Sequence, residues 1–96
     1  MTGETHLVRR AFRVVGVVQG VGFRWWTART AERLEVAGSV RNLPDGSVEV
    51  QAVGSEGHVA ELEAALRDGP RGARVERVEA LDPDRSLRAD GFRIER

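Results

Sequence analysis

A change of hydrophobic period between Val18 and Phe23 constrains this chain more than any other feature. Phe12, Val14 and Val18 fall on alternate positions of a Val- and Phe-rich run from Val8 to Val18, the two-residue repeat of a strand. Gly20 and Gly22 then break the pattern. From Phe23 the repeat becomes helical: Phe23, Trp26, Thr30, Ala31 and Leu34 share one face, and Arg29, Glu32, Arg33 and Glu35 point to water. A strand thus runs through a tight turn straight into a helix. Gly38, a little past the last periodic residue, reads as its stop signal.

A hairpin follows. Ser39 to Leu43 is short and extended, and Pro44-Asp45-Gly46 is a turn with a mechanism. Proline presets φ, aspartate bonds the nearby backbone, and glycine accepts positive φ. Ser47 to Val53 alternates, with Val48, Val50 and Ala52 inward. Ser55 suits the N-cap of a second helix whose stripe is Val59, Leu62, Ala65 and Leu66, and Gly69-Pro70 ends it. Val75 and Val78 are out of step within a charged strand from Ala73 to Leu81, which predicts a bulge or strong bend. Asp82 to Asp90 is a polar loop, and Gly91 to Glu95 a short closing strand.

The order β-α-β-β-α-β plus a short C-terminal strand predicts the α+β class. The plan is a ferredoxin-like split βαβ sandwich, an antiparallel sheet with two helices on one face. Residues 1–96 are expected to form one domain, with residues 1–7 as a polar, frayed lead-in. Fold alone says little about activity, because this architecture carries many unrelated ones.

Composition removes several chemistries. There is no cysteine, hence no disulfide, thiolate nucleophile or cysteine-held zinc, and a small domain without disulfides leans toward a reducing, cytoplasmic setting. All fifteen basic residues are arginine, which excludes the Walker A lysine, Schiff-base chemistry and lysine general bases. Fifteen acidic residues balance them, and zero net charge argues against a protein that grips nucleic-acid backbones. No signal peptide opens the sequence, and no apolar stretch reaches membrane-spanning length. His6 and His58 have no ligand-spaced partner, so both are read as solvent-facing and no metal is called. Arg9, Arg10 and Arg13 read as a solvated face rather than one patch, since Arg10 and Arg13 have opposite parity. Asp45 and Asp68 stand at a turn and a helix end, where aspartate needs no catalytic role.

The junction Gln19-Gly20-Val21-Gly22-Phe23-Arg24 is the candidate site. Amides in a glycine-containing loop that opens a helix converge on one point, where unpaired N–H groups and the helix dipole favour an anion. Arg24 would add a fixed charge and a fork of donors. A plain glycine turn followed by a salt-bridging arginine explains the local pattern equally well. The third glycine of a dinucleotide fingerprint is missing. Trp26 falls on the core face. Trp25 lies off it, read as partly packed, with a place at the mouth of the site as the alternative.

Two stretches carry a resemblance. Gly16-Val-Val-Gln-Gly-Val-Gly-Phe-Arg24 resembles the first signature of the acylphosphatase family, and Gly38-Ser-Val-Arg-Asn-Leu-Pro-Asp-Gly-Ser-Val48, with Gly54 beyond it, resembles the second. The likeness covers nearly the whole chain. Ser39 departs from it, standing where the family usually has an aromatic residue, so packing beneath Asn42 is expected to differ.

The resemblance implies hydrolysis of the carboxyl–phosphate bond of small-molecule acyl phosphates. Arg24 would bind the phosphoryl group, Asn42 would orient the attacking water, and the amides of Gln19, Gly20, Val21, Gly22 and Phe23 would hold phosphate oxygens. Inorganic phosphate would fit the same loop. The family uses no metal, cofactor or covalent intermediate. The expected protein is a cytoplasmic monomer with no membrane or nucleic-acid partner. Two further readings remain: a non-catalytic module for a phosphorylated or carbamoylated ligand, and an RNA-binding domain. Neutral charge and the lack of paired stacking aromatics disfavour the last. The family's loop also occurs in domains of larger maturation proteins, and a chain of one domain's length speaks against such a fusion.

Overall fold

In the computed structural model, which describes residues 6–96, the alternating run becomes strand β1 (Leu7–Val17) and the helical face becomes α1 (Phe23–Arg33). Then come β2 (Ala37–Asn42), β3 (Val48–Ser55), α2 (Glu56–Asp68), β4 (Arg74–Leu81) and β5 (Phe92–Glu95). Of the predicted lead-in, residues 1–5 lie outside the described residues. Leu7, counted with it, already pairs with Ser55. The strands lie in the order β4-β1-β3-β2-β5, with β3 antiparallel to both β1 and β2. Phe12 and Val14 of β1, Val40 of β2 and Val50 of β3 form the buried face. Leu62 and Leu66 of α2 and Phe23 and Ala31 of α1 cover it. The buried face of α1 is broader than the predicted stripe, since Thr27 and Ala28 are also inside.

The sheet is mixed, not wholly antiparallel. β5 pairs with β2 in parallel, Val40 opposite Ile94. The cause is where the chain goes after β4. That strand is one edge of the sheet, and β5 takes the other, so residues 82–91 cross the face that no helix covers. The crossing is anchored by Arg9, which donates to the Leu87 carbonyl, by Gln51, which accepts from Asp84 N at 3.0 Å, and by Gly38 N on Gly91 O at 2.9 Å. One reversal on the way leaves β5 antiparallel to β4, hence parallel to β2. Ser39 is buried on this crossed face, whereas Asn42 shares the helix-side face with Val40. The departure at Ser39 therefore affects the side of the sheet away from Asn42.

The bulge predicted between Val75 and Val78 is present. β1 and β4 pair Val15 with Arg77 and Gly16 with Val75, so Glu76 is the extra residue and both valines reach the core side. A side chain at Gly16 would bring its Cβ to 2.1 Å from the Arg74 carbonyl, which is why glycine stands there. Ser55 caps α2 as predicted, its Oγ accepting from His58 N at 3.2 Å.

Gly38 is not the stop of α1. It lies inside β2, where a Cβ would sit 1.8 Å from the Gln51 carbonyl. The helix ends instead in a Schellman motif, with Val36 N on Ala31 O at 2.8 Å and Glu35 N on Glu32 O at 3.1 Å. Its left-handed position is held by Glu35 at φ 60°, a conformation that is unfavourable for a residue with a Cβ. Glu35→Gly is expected to stabilise the fold by about 1 kcal/mol, read from the midpoint of denaturant unfolding.

The uncovered face also carries an ion network. Arg13 donates to Glu79 at 2.8 Å and to Asp45 in the β2–β3 turn. Ser47 donates to Asp45 through its N–H at 3.0 Å and its hydroxyl at 2.5 Å. These contacts, Ser47 first and Arg13 next, hold the Asp45 carboxyl well below the usual carboxylate range, and Arg77 and Arg13 lower Glu79. A carboxylate with a lowered folded pKa adds stability that is complete above about pH 5 and is lost as the pH falls further. Unfolding midpoints measured from pH 7 to pH 2 are expected to stay level to about pH 5 and then drop. The drop should be shallower for Asp45→Asn, which is less stable at pH 7.

Candidate active site

Val18 and Phe23 are both only 1% exposed and pin the two ends of the glycine loop to the core. Gly20 at φ 76° and Gly22 at φ 75° take the left-handed turns that lift the chain between them. Gly22 is also the N-cap of α1. No side chain caps that end, its first turn holds no acidic residue, and the helical ladder begins with Trp26 N on Gly22 O at 3.0 Å. The N–H groups of Phe23, Arg24 and Trp25 therefore have no partner within the helix, at its positive end.

Beside this helix start is a cavity of about 200 Å³. Gly20, Gly22, Phe23 and Arg24 line it from the loop, and Asn42 lines it from the end of β2. Arg24 and Asn42, distant in sequence, thus meet at one space. Arg24 donates through Nη1 to the Glu95 carbonyl at 2.8 Å, so the last residue of β5 fixes its guanidinium. Among the described residues no carboxylate pairs with Arg24. That removes the salt-bridging reading and leaves guanidinium donors for a ligand.

Gln19 and Val21 belong to the loop but not to the cavity lining. Val21 packs against the core. The Gln19 side chain makes a contact that the sequence did not reveal. Its Nε2 donates to Leu43 O at 2.9 Å and to Ser47 O at 2.8 Å, using both amide hydrogens. Leu43 follows Asn42 and is itself closed on Ser47, Leu43 N to Ser47 O at 2.8 Å. Gln19 therefore bolts the loop to the hairpin end that carries Asn42.

Two more residues line the cavity, Ile94, which the sequence did not single out, and Trp25, for which the mouth of the site is the alternative to partial packing. Ile94 of β5 borders the cavity, and Trp25, expected to be partly packed, stands 60% exposed at its rim. Ile94 is there because of where β5 lies, which no local pattern encodes, whereas Trp25 follows from its position off the core face of α1. Among the described residues no group of three or more His, Asp or Glu could hold a metal ion, and no helix is long and apolar enough to cross a membrane.

The split βαβ sheet, the uncapped helix start and an arginine and an asparagine lining one cavity define a ferredoxin-like α+β protein with a candidate anion site. The comparisons narrow the class. The acylphosphatase family model matches residues 10–94. The acylphosphatase of Paenarthrobacter aurescens is 47% identical over 94 residues, 98% of both chains, and that of Nitratidesulfovibrio vulgaris is 56% identical over 70 residues, covering 73% of this chain and 70% of its own. The crystal structure of the Bacillus subtilis acylphosphatase superposes with a TM-score of 0.85 at 33% identity, covering 95% of this chain and all of that one. The chain belongs to the acylphosphatase family, and its activity is hydrolysis of the carboxyl–phosphate bond of acyl phosphates.

Gln19→Met keeps the length of the side chain and removes both donors. With the hairpin end unbolted, kcat is expected to fall about tenfold or more, because small misplacements of a positioning group are costly. The inhibition constant of inorganic phosphate should stay within about threefold, since the helix start and Arg24 remain. Steady-state kinetics with phosphate as competitor measures both.

Proposed function

We propose that the cavity between the start of α1 and the end of β2 is where the acyl phosphate reacts. The observation that carries this is the convergence of Arg24, Asn42 and the glycine loop on that one space. The amides of Gln19, Gly20, Val21, Gly22 and Phe23 take the phosphoryl oxygens together with Arg24. Asn42 holds the attacking water. Water oxygen bonds to phosphorus, the phosphorus–oxygen bond to the acyl group breaks, and the electron pair leaves on the carboxylate. The products are the carboxylate, inorganic phosphate and the proton released from water.

Such a transition state asks mainly for positioning and for stabilisation of charge on oxygen. Fixed amides and a guanidinium supply both. The leaving carboxylate is stable as an anion, so no general acid is required, and phosphate monoesters, whose leaving groups do need one, are poor substrates. In this reading residues 1–96 act as one domain, a cytoplasmic monomer that needs no metal, cofactor or covalent intermediate.

Hydrolysis of benzoyl phosphate, followed by absorbance with EDTA present, is expected to proceed undiminished. Arg24→Ala should abolish turnover and weaken inhibition by phosphate. Asn42→Ala should lower kcat by about 10²–10³, the usual cost of one preorganised group, with phosphate inhibition largely intact. Full activity in Asn42→Ala would overturn the water-holding role. Phosphate binding without turnover in the unmodified protein would instead indicate a module that only binds anions.

A further inference from the structure

The cavity lining divides by chemistry. Glycine amides, Arg24 and Asn42 account for the phosphoryl oxygens and the water, and the rest of the lining is apolar. Val18 and Phe23 are closed inside the core and offer a ligand almost no surface. Trp25, 60% exposed, and Ile94, 47% exposed, are the apolar lining residues that do. Among the described residues only four large apolar side chains are left this exposed, and two of them meet at this one opening. The guanidinium of Arg29, one turn along α1, lies over the Trp25 ring, 4.9 Å from its centre.

We infer that Trp25 and Ile94 form an apolar shelf that receives the acyl group, so that this enzyme favours acyl phosphates with aromatic or bulky apolar acyl groups over small ones. The inference rests on the acyl phosphate reading of the cavity and deepens it. Once the phosphoryl group is held by the loop, the acyl substituent must leave the polar part of the site, and the surface it meets there is Trp25 and Ile94. An indole presents a large flat apolar face, and aromatic pairs add attraction beyond buried area. A cationic acyl group would lose water against this shelf and meet the like charge of Arg29.

The test compares kcat/KM for benzoyl phosphate and acetyl phosphate in the unmodified protein, Trp25→Ala, Trp25→Phe and Ile94→Ser. Differences in intrinsic reactivity cancel when the benzoyl-to-acetyl ratio of each variant is set against that of the unmodified protein. Trp25→Ala is expected to lower the ratio about tenfold, mainly through KM for benzoyl phosphate, within the range by which apolar contacts discriminate substrates. Ile94→Ser should lower it about threefold, and Trp25→Phe should keep most of it. The inhibition constant of inorganic phosphate, which has no acyl group, reports separately on the loop. An equal loss on both substrates would overturn the shelf and make Trp25 a support for the loop. An unchanged ratio in both Trp25→Ala and Ile94→Ser would also overturn it. Failure of the unmodified protein to turn over either substrate would instead sink the hydrolase reading.

Discussion

Burial of Val18 and Phe23 is the constraint on which the site depends. Each is closed into the core, with only Gln19 to Gly22 between them. Burying such a side chain contributes about 1.5–3 kcal/mol, so either anchor slipping out would cost several times thermal energy. The helix start therefore cannot slide along the chain. Its free N–H groups are aimed by packing before any ligand arrives, which is the condition under which fixed dipoles are most effective. Phe23 packs further on Trp26, ring centres 5.4 Å apart and tilted by 56°, so the same anchor stiffens the first turn.

The second half of the site is closed over long range. Arg24 is held by the Glu95 carbonyl, and Asn42 is tied to the loop through Gln19 and Leu43. The parallel edge position of β5 makes the first contact possible, and that position exists because residues 82–91 cross the open face of the sheet. Gln51, buried on that face and accepting from Asp84, thus supports an arginine on the other side. The charged and polar contacts around the crossing are architectural, because they set where the last strand begins.

Local pattern carried much of this and missed what distance decides. The switch from alternate to helical spacing at Phe23 located β1, the loop and α1, because both periods follow directly from backbone geometry. Val75 and Val78 betrayed the bulge, since an extra residue is the simplest way to bring both to one face. Gly38 misled because glycine serves two needs, left-handed turns and close backbone approach. Here the approach to Gln51 required it, and Glu35 took the left-handed turn. The parallel pairing of β5 and the Gln19 clamp depend on partners far along the chain. Neither leaves a periodic trace. Asn42 was singled out by resemblance, since on its own it reads as a residue before a turn.

A neutral chain without lysine is well suited to this chemistry because the site's potential is local. Positive charge comes from Arg24 and the end of α1, with Arg29 beside Trp25 at the rim, and no acidic residue stands in the first turn to cancel it. Charged pairs elsewhere, such as Arg13 with Glu79 and Arg41 with Glu49 on the opposite face, neutralise one another. Those pairs leave the field at the cavity to the helix, Arg24 and, at the rim, Arg29. The field is matched to a substrate whose bond is already weak. In the proposed reaction it would stabilise charge on the phosphoryl oxygens and leave the carboxylate to depart unaided, whereas an alkoxide would need a proton donor, and none of the cavity's side chains is an acid that could supply one. The lining thus suits the proposed labile anhydride by what it lacks as much as by what it holds.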